Sequence, residues 1–147
     1  MLHYRMEKWI QTFLEQQRVG RLATVDEQNR PHAVPIVYAF DGERLYTPID
    51  AKPKRVGLQD LQRVRNIRAN PHVAVIIDHY CEDWQRLAWV MLRGPALLVE
   101  SGPEQAAGAR LLEAKYPQYA AMPLAGRAVI AVQVEQVTGW RAESMKV

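Results

Sequence analysis

The chain has 147 residues, 48% of them apolar, with four tryptophans and a net charge of +3. That composition excludes a disordered chain, and the length suits one domain, residues 1–147, with a sizeable core. A lone cysteine, Cys81, excludes an internal disulfide framework, no Cys/His cluster has metal-ligand spacing, and no apolar run is long enough to cross a bilayer. The expectation is a soluble cytoplasmic protein with no secretory leader, no structural metal and no membrane contact.

Met6, Trp9, Ile10, Phe13 and Leu14 fall on one face of a helix that should end near Gln17. The period then changes. VGRLATV (Val19 to Val25) and HAVPIVYAF (His32 to Phe40) read as strands separated by a turn cluster, and Asp41-Gly42 signals a hairpin into a third strand, ERLYTPI. On short turns these three predict an antiparallel meander. Pro35 cannot donate to a ladder, so its strand must bulge or lie at an edge, which frees neighbouring backbone groups for a planar ligand. Gly57 to Ala69 is helix-forming and stops at Asn70-Pro71. HVAVIIDHY (His72 to Tyr80) is a buried-strand pattern. LAWVMLRGPALLVE is a long strand that Gly94-Pro95 should bend. Ser101 as N-cap, Pro103 near N1 and Glu104 in capping-box position predict a second long helix, to about Lys115. Ala128 to Trp140 supplies one or two last strands. The fold class expected is mainly β with helices, a six-stranded, closed or nearly closed antiparallel β-barrel of Greek-key type.

Charge is concentrated. Between Ala51 and Asn70 stand six cations (Lys52, Lys54, Arg55, Arg63, Arg65 and Arg68) and one anion, Asp60, a local +5 against +3 for the whole chain. The remaining 127 residues therefore carry −2. A local basic cluster on a near-neutral body points to a defined anionic ligand rather than to nucleic acid, for which no recognition motif is present. Lys52, Lys54 and Arg55 follow a strand, Pro53 stiffens them, and a helix begins beyond. Together these predict a phosphate cradle.

Other candidates are weaker. Asp78 and His79 are adjacent on a strand and point to opposite faces, which does not suit an acid–base pair. His32 and His72 begin strands and read as structural or exposed. Cys81 has no base near it in sequence. Trp84 and Trp89 flank a polar turn, where they could pack in the core, stack on a flat ring or cover a subunit interface. No nucleophile elbow, Walker loop or dinucleotide fingerprint is present, and the catalytic residues are unknown from sequence.

The order of GRLATVDEQNRPHAVPIVYAF, LYTPIDAKPKR and RNIRANPHVAVIIDHYCEDW resembles the pyridoxamine 5'-phosphate oxidase-like flavin-binding split-barrel superfamily, over about Val19 to Val99. The DAKPKR and DHYCEDW segments are similar to a narrower group of deazaflavin-dependent enzymes. The resemblance implies a six-stranded split barrel and a homodimer with two cofactors at the subunit interface. It places a phosphate near Lys52, Lys54 and Arg55, helped by Arg65 and Asn66. It places the ring against Val34, Pro35, Ile36, Val37, Thr47, Pro48 and Ile49, with Trp84 as a further cofactor contact. The function it implies is hydride transfer between the bound deazaflavin, coenzyme F420, and an unknown small organic substrate. The alternatives are an FMN-dependent oxidoreductase and a non-catalytic flavin- or haem-binding protein.

Overall fold

The computed structural model describes residues 6–49, 57 and 61–142. In chain order its elements are α1 (Lys8–Gln16), β1 (Gly20–Val25), β2 (Pro31–Ile36), β3 (Ala39–Phe40), β4 (Arg44–Pro48), α2 (Gln62–Ala69), β5 (His72–His79), β6 (Ala88–Val99), α3 (Pro103–Lys115), β7 (Val129–Gln133) and β8 (Gln136–Arg141). The described strands pair antiparallel in the order β2-β1-β5-β6-β7-β4-β3, with β8 also on β6. No described helix is long and apolar enough to cross a membrane.

The structure is mainly β with helices and antiparallel, as expected, but in place of six strands in a closed or nearly closed barrel the described residues form eight strands with no closing pair among them. Two sequence runs each split in two. Pairing in the second run stops at Ile36 and resumes at Ala39, so β2 lies on β1 while β3 lies on β4. Both neighbour pairings of the predicted meander occur, first run with second and second with third, but the second run breaks at Val37 and Tyr38, so its two halves lie on different parts of the sheet. The last run likewise divides at Val134 and Glu135 into β7 and β8. Pro35 sits on β2, which has a strand on one side only among the described residues, so the edge position permits it.

Strand β6 joins the two parts. Residues 88–93 lie between β5 and β8, and residues 96–99 lie on β7. The change of partner falls at Gly94-Pro95. A Cβ on Gly94 would stand 1.8 Å from the Gln133 carbonyl oxygen, so no other residue fits where the ladders diverge.

Helix α1 places Ile10, Phe13 and Leu14 against the main core, which holds Leu22, Tyr38, Leu45, Val75, Val90 and Leu92. A second core lies on the other face of β4 and β7. Ala109 and Leu112 of α3 meet Tyr46, Val129 and Ala131 there. Burial on both faces explains why β7 reads as an unbroken apolar run. Two helix starts differ from the sequence reading. Helix α2 begins at Gln62, and Gly57 lies outside it. Helix α3 is capped at Gly102 (φ +92°) rather than Ser101, because Pro103 at N1 makes the residue before it the cap. Glu104 serves instead in an ion pair with Arg44 at 3.5 Å.

A polar seam ties α1 to α3. The Tyr38 hydroxyl donates to the Leu14 carbonyl at 2.7 Å, and Lys115 Nζ donates to the same oxygen at 3.1 Å. The Lys115 ammonium lies 3.8 Å from the Tyr38 ring centre. Burial, then the Arg18 guanidinium, pushes the Lys115 amine down from 10.5 to about 8, with Glu15 opposing.

Two outcomes are expected. Gly94→Ala should lose about 3 kcal/mol of stability in urea denaturation, through overpacking against rigid backbone. For Lys115, the unfolded amine keeps its proton to 10.5 while the folded one loses it above about 8. Unfolding then takes up a proton, so stability rises with pH inside that window. Because the group is half-exposed, screening reduces the gain to about 1 kcal/mol. Wild type measured against Lys115→Met at pH values on either side of the window checks it, and a falling difference would make the cation over Tyr38 the stronger influence.

Candidate functional site

Two cavities flank α2. The smaller, of about 240 Å³, is lined by Val19, Pro35, Ile36, Val37, Thr47, Pro48, Arg63 and Tyr119. Five of the seven residues expected against a ring meet here. The end of β2 supplies Pro35 and Ile36, the crossing to β3 supplies Val37, and the end of β4 supplies Thr47 and Pro48. Val34 and Ile49 do not line it. Both pack against the main core instead. The lining is mostly apolar, with one cation, a buried threonine and a tyrosine. Such a mixture suits a flat, largely apolar ligand with a few polar edges.

The larger cavity, of about 760 Å³, lies between the β1–β2 turn and the other side of α2, against Asp26, Arg30, His32, Gln62, Arg65 and Asn66. Its charges are largely spent on each other. Arg30 Nε lies 2.7 Å from the Asp26 carboxylate, which also accepts from the backbone N–H groups of Gln28 and Arg30 at 2.8 and 2.9 Å. The Arg30 backbone N–H, then its side chain, holds the Asp26 carboxyl below its usual value. Size alone therefore does not select this cavity.

Helical geometry decides where the basic residues of α2 point. Residues two apart lie about 200° apart around the axis, so Arg63 and Arg65 face opposite ways. Arg63 reaches the small cavity and Arg65 the large one. Arg68 is exposed. Asn66 is buried, donating to Thr24 Oγ1 at 2.9 Å and accepting from Gln62 Nε2 at 2.6 Å. Its amide fastens α2 to β1. The structure thus separates Arg65 and Asn66 from the ring-lining residues. Lys52, Lys54 and Arg55 lie outside the described residues. Trp84 stands in a 3₁₀ turn, 66% exposed, lining neither cavity. Asp78 pairs with Arg21 at 2.7 Å, which leaves it no catalytic geometry with His79.

Sequence reasoning missed Val19 and Tyr119 and assigned Arg63 only to the general basic region. Tyr119 carried no signal, since it sits in a connection without periodic pattern. The turn of α2 would have singled out Arg63.

A family model for pyridoxamine 5'-phosphate oxidase matches residues 6–141. A 5a,11a-dehydrotetracycline/5a,11a-dehydrooxytetracycline reductase of Streptomyces rimosus is 33% identical over 92 residues, which is 62% of this chain and 62% of that protein. In solved structures the fold is similar to a conserved hypothetical protein of Mycobacterium tuberculosis, with TM-score 0.74 and 20% identity over 98% of this chain and 92% of that one. It is also similar to an FAD-binding protein of Mesorhizobium loti, with TM-score 0.67 and 22% identity over 91% and 94%.

The hydrogen bonds of Asn66 make it a stability residue. Asn66→Leu should cost about 1–3 kcal/mol by stranding Thr24 and Gln62, as read from thermal melts. Ligand affinity at the small cavity should change far less than in Arg63→Ala.

Proposed function

The chain belongs to the pyridoxamine 5'-phosphate oxidase family, and from that premise we propose that it is a flavin- or deazaflavin-dependent oxidoreductase acting on a small organic substrate. The observation that carries this reading is the meeting of Pro35, Ile36, Val37, Thr47 and Pro48 with Arg63 around one cavity. A flat three-ring head fits it. The walls are apolar and Thr47 supplies a hydroxyl, while the free edge of β2 supplies backbone donors and acceptors. At about 240 Å³ the cavity is smaller than a typical whole-ligand site of roughly 300–1,000 Å³, so it takes the ring and leaves the phosphate-bearing chain outside.

When bound, such a ring accepts or donates hydride at its central position. The protein's part is to hold and shield it. Val19, Ile36 and Val37 exclude water from the ring, and Arg63 offers a fixed cation to an anionic edge. The sequence connects Pro48 on one wall to Arg63 on another through the segment that carries Lys52, Lys54 and Arg55. That connectivity supports the phosphate role for these three cations. A haem-binding reading would need an axial ligand, and of the eight lining residues only Tyr119 could serve.

Between the two flavins, coenzyme F420 is favoured over FMN. FMN ends in one phosphate, which two or three cations satisfy, whereas the deazaflavin carries a phosphodiester and an oligoglutamate tail. Arg65 and Arg68, both exposed on α2, are surplus to the first and useful to the second. The deazaflavin should therefore bind more tightly, by a margin that shrinks with salt, since screening over about 8 Å at physiological ionic strength weakens exposed pairs. Titration of wild type and Arg65→Ala/Arg68→Ala with both cofactors at low and high salt checks this. FMN binding at least as tightly at low salt would remove its physical support. Lys54→Glu/Arg55→Glu should weaken both cofactors while leaving the melting temperature nearly unchanged.

The protein should also be a homodimer. Ile76, Trp140, Tyr80 and Trp84 are 39%, 47%, 62% and 66% exposed, on or beside β5 and β8. Ile76 pairs with Met91, and Trp89 with Trp140, which extends the apolar face across β6. A second copy is the proposed cover for this face, and Trp84 would reach a cofactor only across that interface. Light scattering should give twice the chain mass at micromolar concentration, and Ile76→Asp/Trp140→Glu should give the monomer. A wild-type monomer would overturn the two-subunit site.

A further inference from the structure

The small cavity has walls on five separate segments, and one side chain behind it touches the neighbourhoods of three of them. The Tyr116 hydroxyl accepts from the Tyr38 backbone N–H at 3.1 Å. Its one proton serves either the Arg18 or the Tyr38 carbonyl, both 2.9 Å away. Arg18 immediately precedes Val19, and Tyr38 immediately follows Val37, so this one oxygen ties together the two backbone segments that present those side chains to the cavity. The Tyr116 ring also packs edge-on against Tyr119, with centroids 6.2 Å apart and planes at 79°. Tyr116 is itself buried and does not line the cavity.

We propose that Tyr116 is a positioning residue for the cofactor cavity: its hydroxyl fixes the spacing of Val19 and Val37, and its ring fixes Tyr119. This rests on the reading of the small cavity as the ring site. The physical case is one of constraint. The segments at 18–19 and 37–38 lie outside the strands, so the ladders that pin the rest of the sheet do not hold them. Backbone groups there need partners, and the Tyr116 hydroxyl accepts from the Tyr38 N–H and gives its one proton to one of the two carbonyls, Arg18 or Tyr38. A slot for a flat ring tolerates little widening, so losing that tie should loosen the grip on the ring without removing any contacting side chain.

Tyr116→Phe keeps the ring and removes only the oxygen. Val75→Ala, a core truncation in β5 that lines neither cavity, serves as the stability control. Three readouts are needed: thermal melts, amide hydrogen exchange of the cofactor-free proteins, and FMN titration with visible circular dichroism of the bound ring. In Tyr116→Phe the Tyr38 amide should exchange about tenfold faster. FMN affinity should fall at least about fivefold, and the dichroic band should change shape. Val75→Ala should lower the melting temperature yet leave affinity and dichroism unchanged. Unaltered exchange at Tyr38 would overturn the proposal. So would faster exchange with undiminished FMN affinity and an unchanged band, because the tie would then be structural only. If wild type binds neither FMN nor the deazaflavin, the ring-site reading falls and the cofactor role of Tyr116 falls with it. The exchange measurement would still show whether Tyr116 holds the two segments.

Discussion

The arrangement depends on a single strand serving two sets of neighbours. Strand β6 is twelve residues long, and its two halves pair with different partners. That is possible only where Gly94 lets the Gln133 carbonyl approach to a distance no Cβ would permit. Remove the bend and β7 could not leave the β5–β8 side of the sheet. The second core under α3 would then lose its floor. The small cavity follows from the same divergence. Its walls are the end of β2 on one part of the sheet and the end of β4 on the other, and these stand near each other because β6 has carried the two parts apart and round.

A second break, between Ile36 and Ala39, converts that architecture into a site. Pro35 tolerates only an edge, and among the described residues β2 ends the sheet on its side and leaves backbone groups without a strand neighbour. The chain then crosses at Val37 and Tyr38. A crossing of this kind leaves amides and carbonyls in need of partners, and the Tyr116 hydroxyl meets them from the buried side while Val37 faces the cavity. Irregular backbone, which is costly in a core, is where several of the residues lining the small cavity lie.

Most of the fold was legible because its signals are local. The apolar face of α1, the Asp41-Gly42 turn, the bend at Gly94-Pro95 and the end of α3 at Lys115 each depend on a few neighbouring residues. What failed was continuity. HAVPIVYAF looks like one strand because Val34, Ile36, Val37, Tyr38 and Phe40 are β-branched or aromatic. Nothing in their order says that Val37 and Tyr38 pass between sheets. The capping of α3 failed for a related reason: Ser101 and Glu104 have the right spacing, but Pro103 fixes the cap one residue later. Five of the residues expected against a ring meet in one cavity because strand ends carry neighbours there together. Asn66 and Arg65 were expected beside the phosphate; in the structure Asn66 anchors α2 and Arg65 lines the larger cavity. Tyr116 was invisible, since its role comes from contacts with residues 78 and 98 positions away, and Tyr119 follows from its packing on Tyr116.

Helix α2 shows how one short element can divide its labour by angle alone. Asn66, Val64 and Ile67 are buried and hold it to the sheet. Arg63 and Arg65 leave the axis in opposite directions, into cavities of opposite character. Anchoring therefore costs the helix none of its charge, and the charge need not be buried with the anchor. In the proposed dimer the same economy extends to the sheet. The face holding Ile76 and Trp140 exposes large apolar side chains beside the Arg21–Asp78 pair, and the cavity beside Pro35 and Val37 lies at an edge with no strand beyond it among the described residues. One association between copies would cover the first and bring new walls toward the second. A chain of this size can thereby form a cofactor site that its own residues only partly enclose.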